Sequence, residues 1–356
     1  MAVYITLLCG AILPSFFTRI NENERRKKTY LVFIFSLIAL VSALRSINIG
    51  VDTRQFCNAY LEIGYLNWDR ALALRYEPGF ILLCKLLNLI SADFQLLLIV
   101  SSGFVAFSTA RFILKNSDDI AISSFVFFCM FFAQSMNLMR QYLALGVLLF
   151  GINLIKEKKY FKFLLVSLAA MMFHYSAIIC LIYFFLYKIK IKKGMLLALS
   201  GVMVVILLNF RQIMFLIYQF ELFNKYSGYI GGRFDTADST RWVKMAIALL
   251  ILIFFLINTK EKEDEKGIKH NFIVNLLLAW AMIETLATNS YIFTRIAPYL
   301  DFIAIIAIPK ALSSIKEKKI KTVFIIIIYA VMIAYFVVSR MINISRVMPY
   351  NFYWEV

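Results

Sequence analysis

The sequence predicts an all-α bundle of transmembrane helices, and three observations carry that prediction. Apolar residues make up 62% of the 356-residue chain and charged residues only 17%, against roughly 45–50% and 25% in a soluble domain. The apolar residues fall in long runs of the kind that cross a bilayer as helices. Short lysine-rich links break those runs. A transmembrane barrel would instead show alternating segments of about ten residues, and none is present. The same composition excludes an ordinary soluble enzyme, a disordered chain and a disulfide-stapled secreted module. Five cysteines without CxxC spacing offer neither a disulfide framework nor a zinc site.

Ten segments are expected to be helical spans: 2–17, 30–44, 93–113, 120–135, 138–155, 195–208, 243–258, 272–288, 296–312 and 322–338. With the ambiguous stretch 163–187 the bundle has about ten to eleven spans. The first run has no basic region before it, and Arg25-Arg26-Lys27-Lys28 follows it. It therefore reads as a first helix with its N-terminus outside, not as a cleaved signal peptide. The links 18–29, 156–162, 188–193, 259–271 and 313–321 hold 21 of the 38 basic residues, which places them in the cytoplasm. Two of these links flank 163–187. Either that stretch is one tilted helix, or it enters and returns as a hairpin with its turn near His174, Tyr175 and Ser176. The hairpin keeps every lysine-rich link inside. The whole chain, 1–356, reads as one integral membrane domain with outer segments at 45–76 and 209–242.

The two basic residue types are sorted. Eighteen of the 21 basic residues in the inner links are lysine, whereas eleven of the fifteen arginines lie outside or at outer helix ends. Lysine suits anionic lipid at the cytoplasmic face; arginine offers an always-charged fork that grips phosphate through two bonds. One outer arginine alone reads as a snorkelling or ion-paired side chain. Eleven together suggest an anionic, lipid-linked ligand at the outer leaflet.

Five constellations are candidates for that site. Arg45 precedes Gly50, Asp52 and Thr53, where a helix exit and a cap compete with phosphate and sugar contacts. In Glu77-Pro78-Gly79-Phe80, proline after an acidic residue is a good helix start, so capping competes with acid–base chemistry. The helix that follows is short and carries Lys85, so it suits the interface. Asn137, Arg140 and Gln141 share one helical face, a costly stripe in lipid unless it meets protein or water. His174, between Phe173 and Tyr175, is a satisfied core histidine or, at a hairpin tip, a base or phosphate donor. The other histidine, His270, is expected to be solvated in its charged link. Farther on, Tyr291, Arg295 and Tyr299 recur at i+4 near Glu284 and Asp301, as an ion-paired helix contact or as part of the same cavity.

Several chemistries leave no trace. Walker, dinucleotide-fold, zinc and Ser-His-Asp signatures are missing, and Asp235 and Asp238 are spaced DxxD, not DxD. No metal or other cofactor is expected. The basic charge is divided between two membrane faces, which is not a nucleic-acid footprint.

The motifs Ala-Leu-Arg-Ser with Gly-x-Asp-Thr (43–53), Glu-Pro-Gly-Phe (77–80), Met-Asn-x-x-Arg-Gln-x-x-Ala (136–144) and Phe-His-Tyr-Ser-Ala (173–177) resemble, in order, the EpsG-like family of Wzy-type polysaccharide repeat-unit polymerases. The resemblance weakens after residue 210, and Phe56 stands where the family pattern suggests tyrosine. It implies a glycosyltransferase of the bacterial cytoplasmic membrane with its active site facing outward. Such an enzyme moves a growing glycan from undecaprenyl pyrophosphate onto a new lipid-linked repeat unit, for O-antigen, capsule or exopolysaccharide. The resemblance assigns Arg45, Arg140 and Arg295 to the pyrophosphate, and Asp52, His174 or Glu77 to the acceptor hydroxyl. Asn137, Gln141, Thr53 and Tyr299 would complete the sugar and phosphate contacts. A chain-length regulator and a flippase are the partners it implies, besides membrane lipid. The rival readings are a ligase sharing the arginines, a flippase or exporter with a charged path through the bundle, and a membrane acyltransferase.

Overall fold

The computed structural model describes residues 2–17, 20–191, 193–220, 239–261, 268–342 and 346–355. Arg233, Asp235 and Asp238, with the rest of 221–238 in the second outer segment, lie outside the described residues. The fold is all-α. Among the described residues an isolated antiparallel bridge joins Arg45 to Phe352 and belongs to no sheet.

In chain order the helices are α1 (Ala2–Phe17), α2 (Glu24–Ala43), α3 (Thr53–Tyr65), α4 (Trp68–Leu72), α5 (Pro78–Asn88), α6 (Gln95–Asn116), α7 (Ile120–Asn137), α8 (Met139–Lys156) and α9 (Tyr160–Met171). There follow α10 (Tyr183–Lys188), α11 (Lys193–Leu208), α12 (Phe210–Tyr218), α13 (Ser239–Asn258), α14 (His270–Ala287), α15 (Pro298–Asp301), α16 (Ala304–Ser314) and α17 (Lys318–Ile342). Every expected segment is helical. Asn23 and Asp119 cap α2 and α7 by accepting from backbone N–H groups of the first turn, as short polar side chains do. A π-turn at Phe127–Phe131 interrupts α7.

Among the described residues, α6, α7, α13, α14 and α17 are each long and apolar enough to cross a bilayer, and α11 with α12 makes a sixth candidate bent by 76°. The other expected segments form shorter or less apolar helices. Segment 296–312 is not one helix: Pro298 opens α15, and a turn at Phe302–Ile303 separates it from α16. Stretch 163–187 is broken as well. Helix α9 ends at Met171, a turn covers Met172–His174, and a 3-10 helix, Tyr175–Ile182, leads into α10. The 12 residues of α9 rise about 18 Å, short of a core about 30 Å thick.

The chain divides into two compact units, residues 1–178 with 308–356, and residues 179–307. In the first, rings hold α1, α7 and α17 together. Tyr4 meets Phe132 and Phe336 edge-on, and Phe125 lies 4.4 Å from Tyr329. A second apolar cluster unites α3, α5 and α6 through Phe56, Tyr60, Phe80, Cys84 and Leu97. Asn88 fastens it by donating to the Tyr60 carbonyl at 3.1 Å. The lone charge of α5 is accommodated at its edge, where Lys85 donates to the Leu66 carbonyl and lies over the Trp68 ring.

In the second unit, Tyr183 of α10 packs edge-on against Phe272 of α14 and donates to the Tyr299 carbonyl. Asn275 donates to the Leu186 and Ile189 carbonyls at 2.6 and 2.8 Å. His270 departs from expectation. It is buried, stacked on Phe255 at 5.2 Å, with Nε2 2.9 Å from the Thr259 hydroxyl. Its place at the first turn of α14 turns the ring inward, away from the charged link.

Candidate functional site

The Glu-Pro-Gly-Phe sequence works residue by residue. Pro78 opens α5 at a position where no N–H is required. Gly79 donates to the Met172 carbonyl at 2.7 Å, and a Cβ there would sit 2.7 Å from the same oxygen. Only glycine permits that approach, which brings the turn carrying His174 against the start of α5. Phe80 is fully buried in the α3–α5–α6 cluster, worth about 2 kcal/mol.

Glu77 occupies the N-cap position of α5, yet its side chain makes no cap hydrogen bond. Other donors hold it instead. Arg140 donates to Oε2; His174 Nδ1 lies 2.8 Å from Oε1, and the Tyr175 N–H donates to Oε1 at 3.4 Å. Glu77 is 3% exposed. Burial pushes its carboxyl up, but the His174 hydrogen bond and the Arg140 charge outweigh burial and hold it below the usual carboxylate range. An ionised Glu77 accepts and cannot donate, so Nδ1 of His174 carries the proton. In the neutral ring Nε2 then keeps a lone pair.

Arg140 sits at the start of α8 inside an aromatic cage. Its guanidinium carbon lies 5.3 Å from the Phe56 ring, 5.2 Å from Tyr76 and 5.9 Å from Phe80, contacts worth about 0.5–2 kcal/mol when desolvated. The cage fixes the plane of the fork, and Nε makes no hydrogen bond. One residue on, Gln141 donates to the Ser176 hydroxyl at 3.3 Å. Arg140 and His174 keep 18% and 16% of their side chains exposed.

A second group of candidates meets at Met136–Asn137. Arg45 donates to the Ser42 carbonyl and hydroxyl, to the Ser102 hydroxyl at 3.4 Å and to the Met136 carbonyl at 3.3 Å. It is 1% exposed. The cavity beside it, about 10 Å³, has room for about one water. Gly50 turns the chain with φ +95°, a left-handed conformation glycine tolerates. The Asp52 N–H then reaches the Asn137 side chain at 3.2 Å, and the buried Thr53 hydroxyl returns to the Ile49 carbonyl at 2.6 Å. Asp52 is the N-cap of α3, though its carboxylate makes no cap bond.

The remaining candidates belong to the second unit. Arg295 lies on the 3-10 turn Tyr291–Arg295, 5.4 Å from the Tyr291 ring. Tyr299 is buried, and its carbonyl is engaged by Tyr183. Glu284 accepts from the Trp280 indole at 3.1 Å.

Sequence reasoning missed the cage and the strap at the chain's end. Phe56 was legible only as a departure from tyrosine, and Tyr76 stands one residue before a motif. The strap joins residues some three hundred positions apart. Ser46 and Gly50 donate to the Asn351 and Arg346 carbonyls at 2.9 Å, Tyr353 to Leu44 at 3.0 Å, and Tyr350 to Val41 at 2.6 Å. No periodicity signals such a pairing. Among the curated proteins and the solved structures, nothing matches the chain. A model of the EpsG family matches residues 28–352, the span that contains all four motifs, and this multi-pass membrane protein belongs to the EpsG family.

Proposed function

We propose that the protein polymerises lipid-linked oligosaccharide repeat units at the outer face of a bacterial cytoplasmic membrane. Its family and fold support a general role in membrane polysaccharide biosynthesis. The observation that carries the finer reading is the Glu77 carboxylate shared between His174 and Arg140. It sets a base and a phosphate-binding fork side by side, the pair that glycosyl transfer from a diphosphate uses.

In the proposed reaction the acceptor hydroxyl attacks the anomeric carbon of the growing glycan. His174 Nε2 takes the hydroxyl proton, a new C–O bond forms, and the bond from the anomeric carbon to the pyrophosphate oxygen breaks. Undecaprenyl pyrophosphate leaves with its charge met by Arg140, and His174 returns the proton to water. Glu77 is then a positioning residue that holds the imidazole in one tautomer, while Asp52 orients the acceptor. Asn137 and Gln141 fix the loops around it. Arg45 and Thr53 hold the 42–53 turn, Arg45 through the Met136 carbonyl. Arg295 and Tyr299 remain proposed phosphate or sugar contacts of the second unit.

The test is the length ladder of surface and lipid-linked glycan in a strain whose only copy is His174→Ala, with insertion checked by quantitative blotting. Glycans stopping at one repeat unit are expected. Full-length chains stranded on the lipid carrier would replace the polymerase with a ligase, and units trapped on the cytoplasmic side would replace it with a flippase. An unchanged ladder overturns the role of His174.

A further inference from the structure

Helices α2 and α6 form a groove that the proposed reaction does not use. They run antiparallel, because Ser102 and Gln95 near the start of α6 bond to Ser42 and Ala43 at the end of α2. The groove, about 410 Å³, is lined at i, i+3, i+4, i+7, i+8 and i+11 from Lys28 on one helix and from Gly103 on the other. That spacing is a single continuous face of each helix. Its floor is small: Ser36, Ala39, Gly103 and Ala106, and a Cβ added at Gly103 would meet nothing within 4 Å. Its rims stand up, with Val32 67% and Phe107 61% exposed.

The antiparallel arrangement puts Lys28 and Arg111 at the same end of this trough. Among the described residues neither has a carboxylate within ion-pair distance. Arg111 lines the groove, and its guanidinium carbon lies 4.6 Å from the Phe150 ring. From Lys28 to Ala39 the helix rises about 16 Å, close to half of a hydrocarbon core about 30 Å thick. The trough is thus as long as one leaflet. A long polyprenyl chain would overrun it, whereas the acyl chain of a single-leaflet lipid fits. Lys28 is the last basic residue of the link 18–29, which the positive-inside rule assigns to the cytoplasmic side.

We infer that this groove binds one anionic phospholipid of the inner leaflet, its phosphate between Lys28 and Arg111 and an acyl chain along the small-residue floor. Two positive charges with no carboxylate at ion-pair distance favour a net-negative headgroup over a zwitterionic one. The site is independent of the glycan chemistry and survives if that reading fails.

Native mass spectrometry of the full chain tests it, using micelles doped with equal amounts of phosphatidylglycerol and phosphatidylcholine. A retained phosphatidylglycerol adduct is expected, weakened about thirtyfold by the double variant Lys28→Gln/Arg111→Gln. The conservative pair Lys28→Arg/Arg111→Lys should keep the preference. Gly103→Leu, which fills the floor, should displace both lipids. Equal retention of the two lipids, or an adduct indifferent to the double variant, overturns the inference. Persistence of the phosphatidylglycerol adduct in Gly103→Leu also overturns it, because the lipid would then sit outside the groove.

Discussion

Arg45 and Arg140 both come from polar motifs at helix ends, both lie in the first unit, and their surroundings differ in kind. Arg45 is sealed in among neutral acceptors, two serine hydroxyls and two carbonyls, beside a void with room for about one water. Arg140 shares a carboxylate with a histidine, is clasped by three rings, and keeps part of its side chain exposed. A diphosphate needs several donors and room to arrive. The difference teaches that a motif arginine is read by what surrounds it: Arg45 is bonded into a turn, and Arg140 is the one that the proposed reaction places against the diphosphate.

The largest effect should separate the two directly. Arg140→Lys replaces a fork with a point charge and should cut polymerisation about 100-fold at normal membrane abundance, read from in vitro chain extension. Near-normal activity would erase the distinction. Next, Gly79→Ala pushes a methyl into the Met172 carbonyl. It should destabilise the fold by about 1–3 kcal/mol and lower activity by shifting His174 from Glu77; a thermal melt and the extension assay read both. Arg45→Gln should cost about 1–3 kcal/mol in stability. Its residual activity per folded molecule should far exceed that of Arg140→Lys, and the reverse order would exchange their roles.

Acid sharpens the contrast, because Arg140 has a carboxylate for a partner and Arg45 is hydrogen-bonded to neutral oxygens. Glu77 is held below the usual carboxylate range. Its contribution to stability is therefore complete above about pH 4.3 and is lost as pH falls through the depressed folded value. Melts of wild type and Glu77→Gln across acidic pH should show the gap between them closing. A constant gap would mean Glu77 is not held ionised by its neighbours. The smallest effect is expected from Phe56→Tyr, which adds a hydroxyl at the cage wall. It should change stability by no more than about 0.5 kcal/mol while leaving the Arg140 contact, so a large loss of activity would show that the cage tolerates no added polarity.

Much of the helical framework was legible, because long apolar runs between lysine links leave few alternatives to helices. A break near His174 was one of two readings that charge parity on either side of 163–187 left open, the other being a single tilted helix. The break at Phe302–Ile303 was not legible, since nothing polar interrupts the run from Phe302 to Pro309. At the site, each member of the Glu77–Arg140–His174 cluster stands in a recognisable motif, but their sharing of one carboxylate depends on three chain segments meeting in space. Glu77 also looked like a helix cap. The Arg140 guanidinium and the His174 ring took its carboxylate, a competition that local propensity does not contain. The cage was hidden for a related reason: Phe56, Tyr76 and Phe80 are ordinary apolar residues until an arginine arrives between them.

The strap across the Arg45 turn has a consequence for how the protein is made. Residues 41–50 leave the ribosome about three hundred positions before Arg346–Tyr353, which hold them. At roughly 5–20 residues per second, synthesis leaves that turn waiting on the order of 15–60 s for its fastening. Within that interval the turn gains its bonds to Ser42, Ser102, Met136 and Asn137 but not the strap, so a stalled or shortened chain would carry the bundle without its clasp.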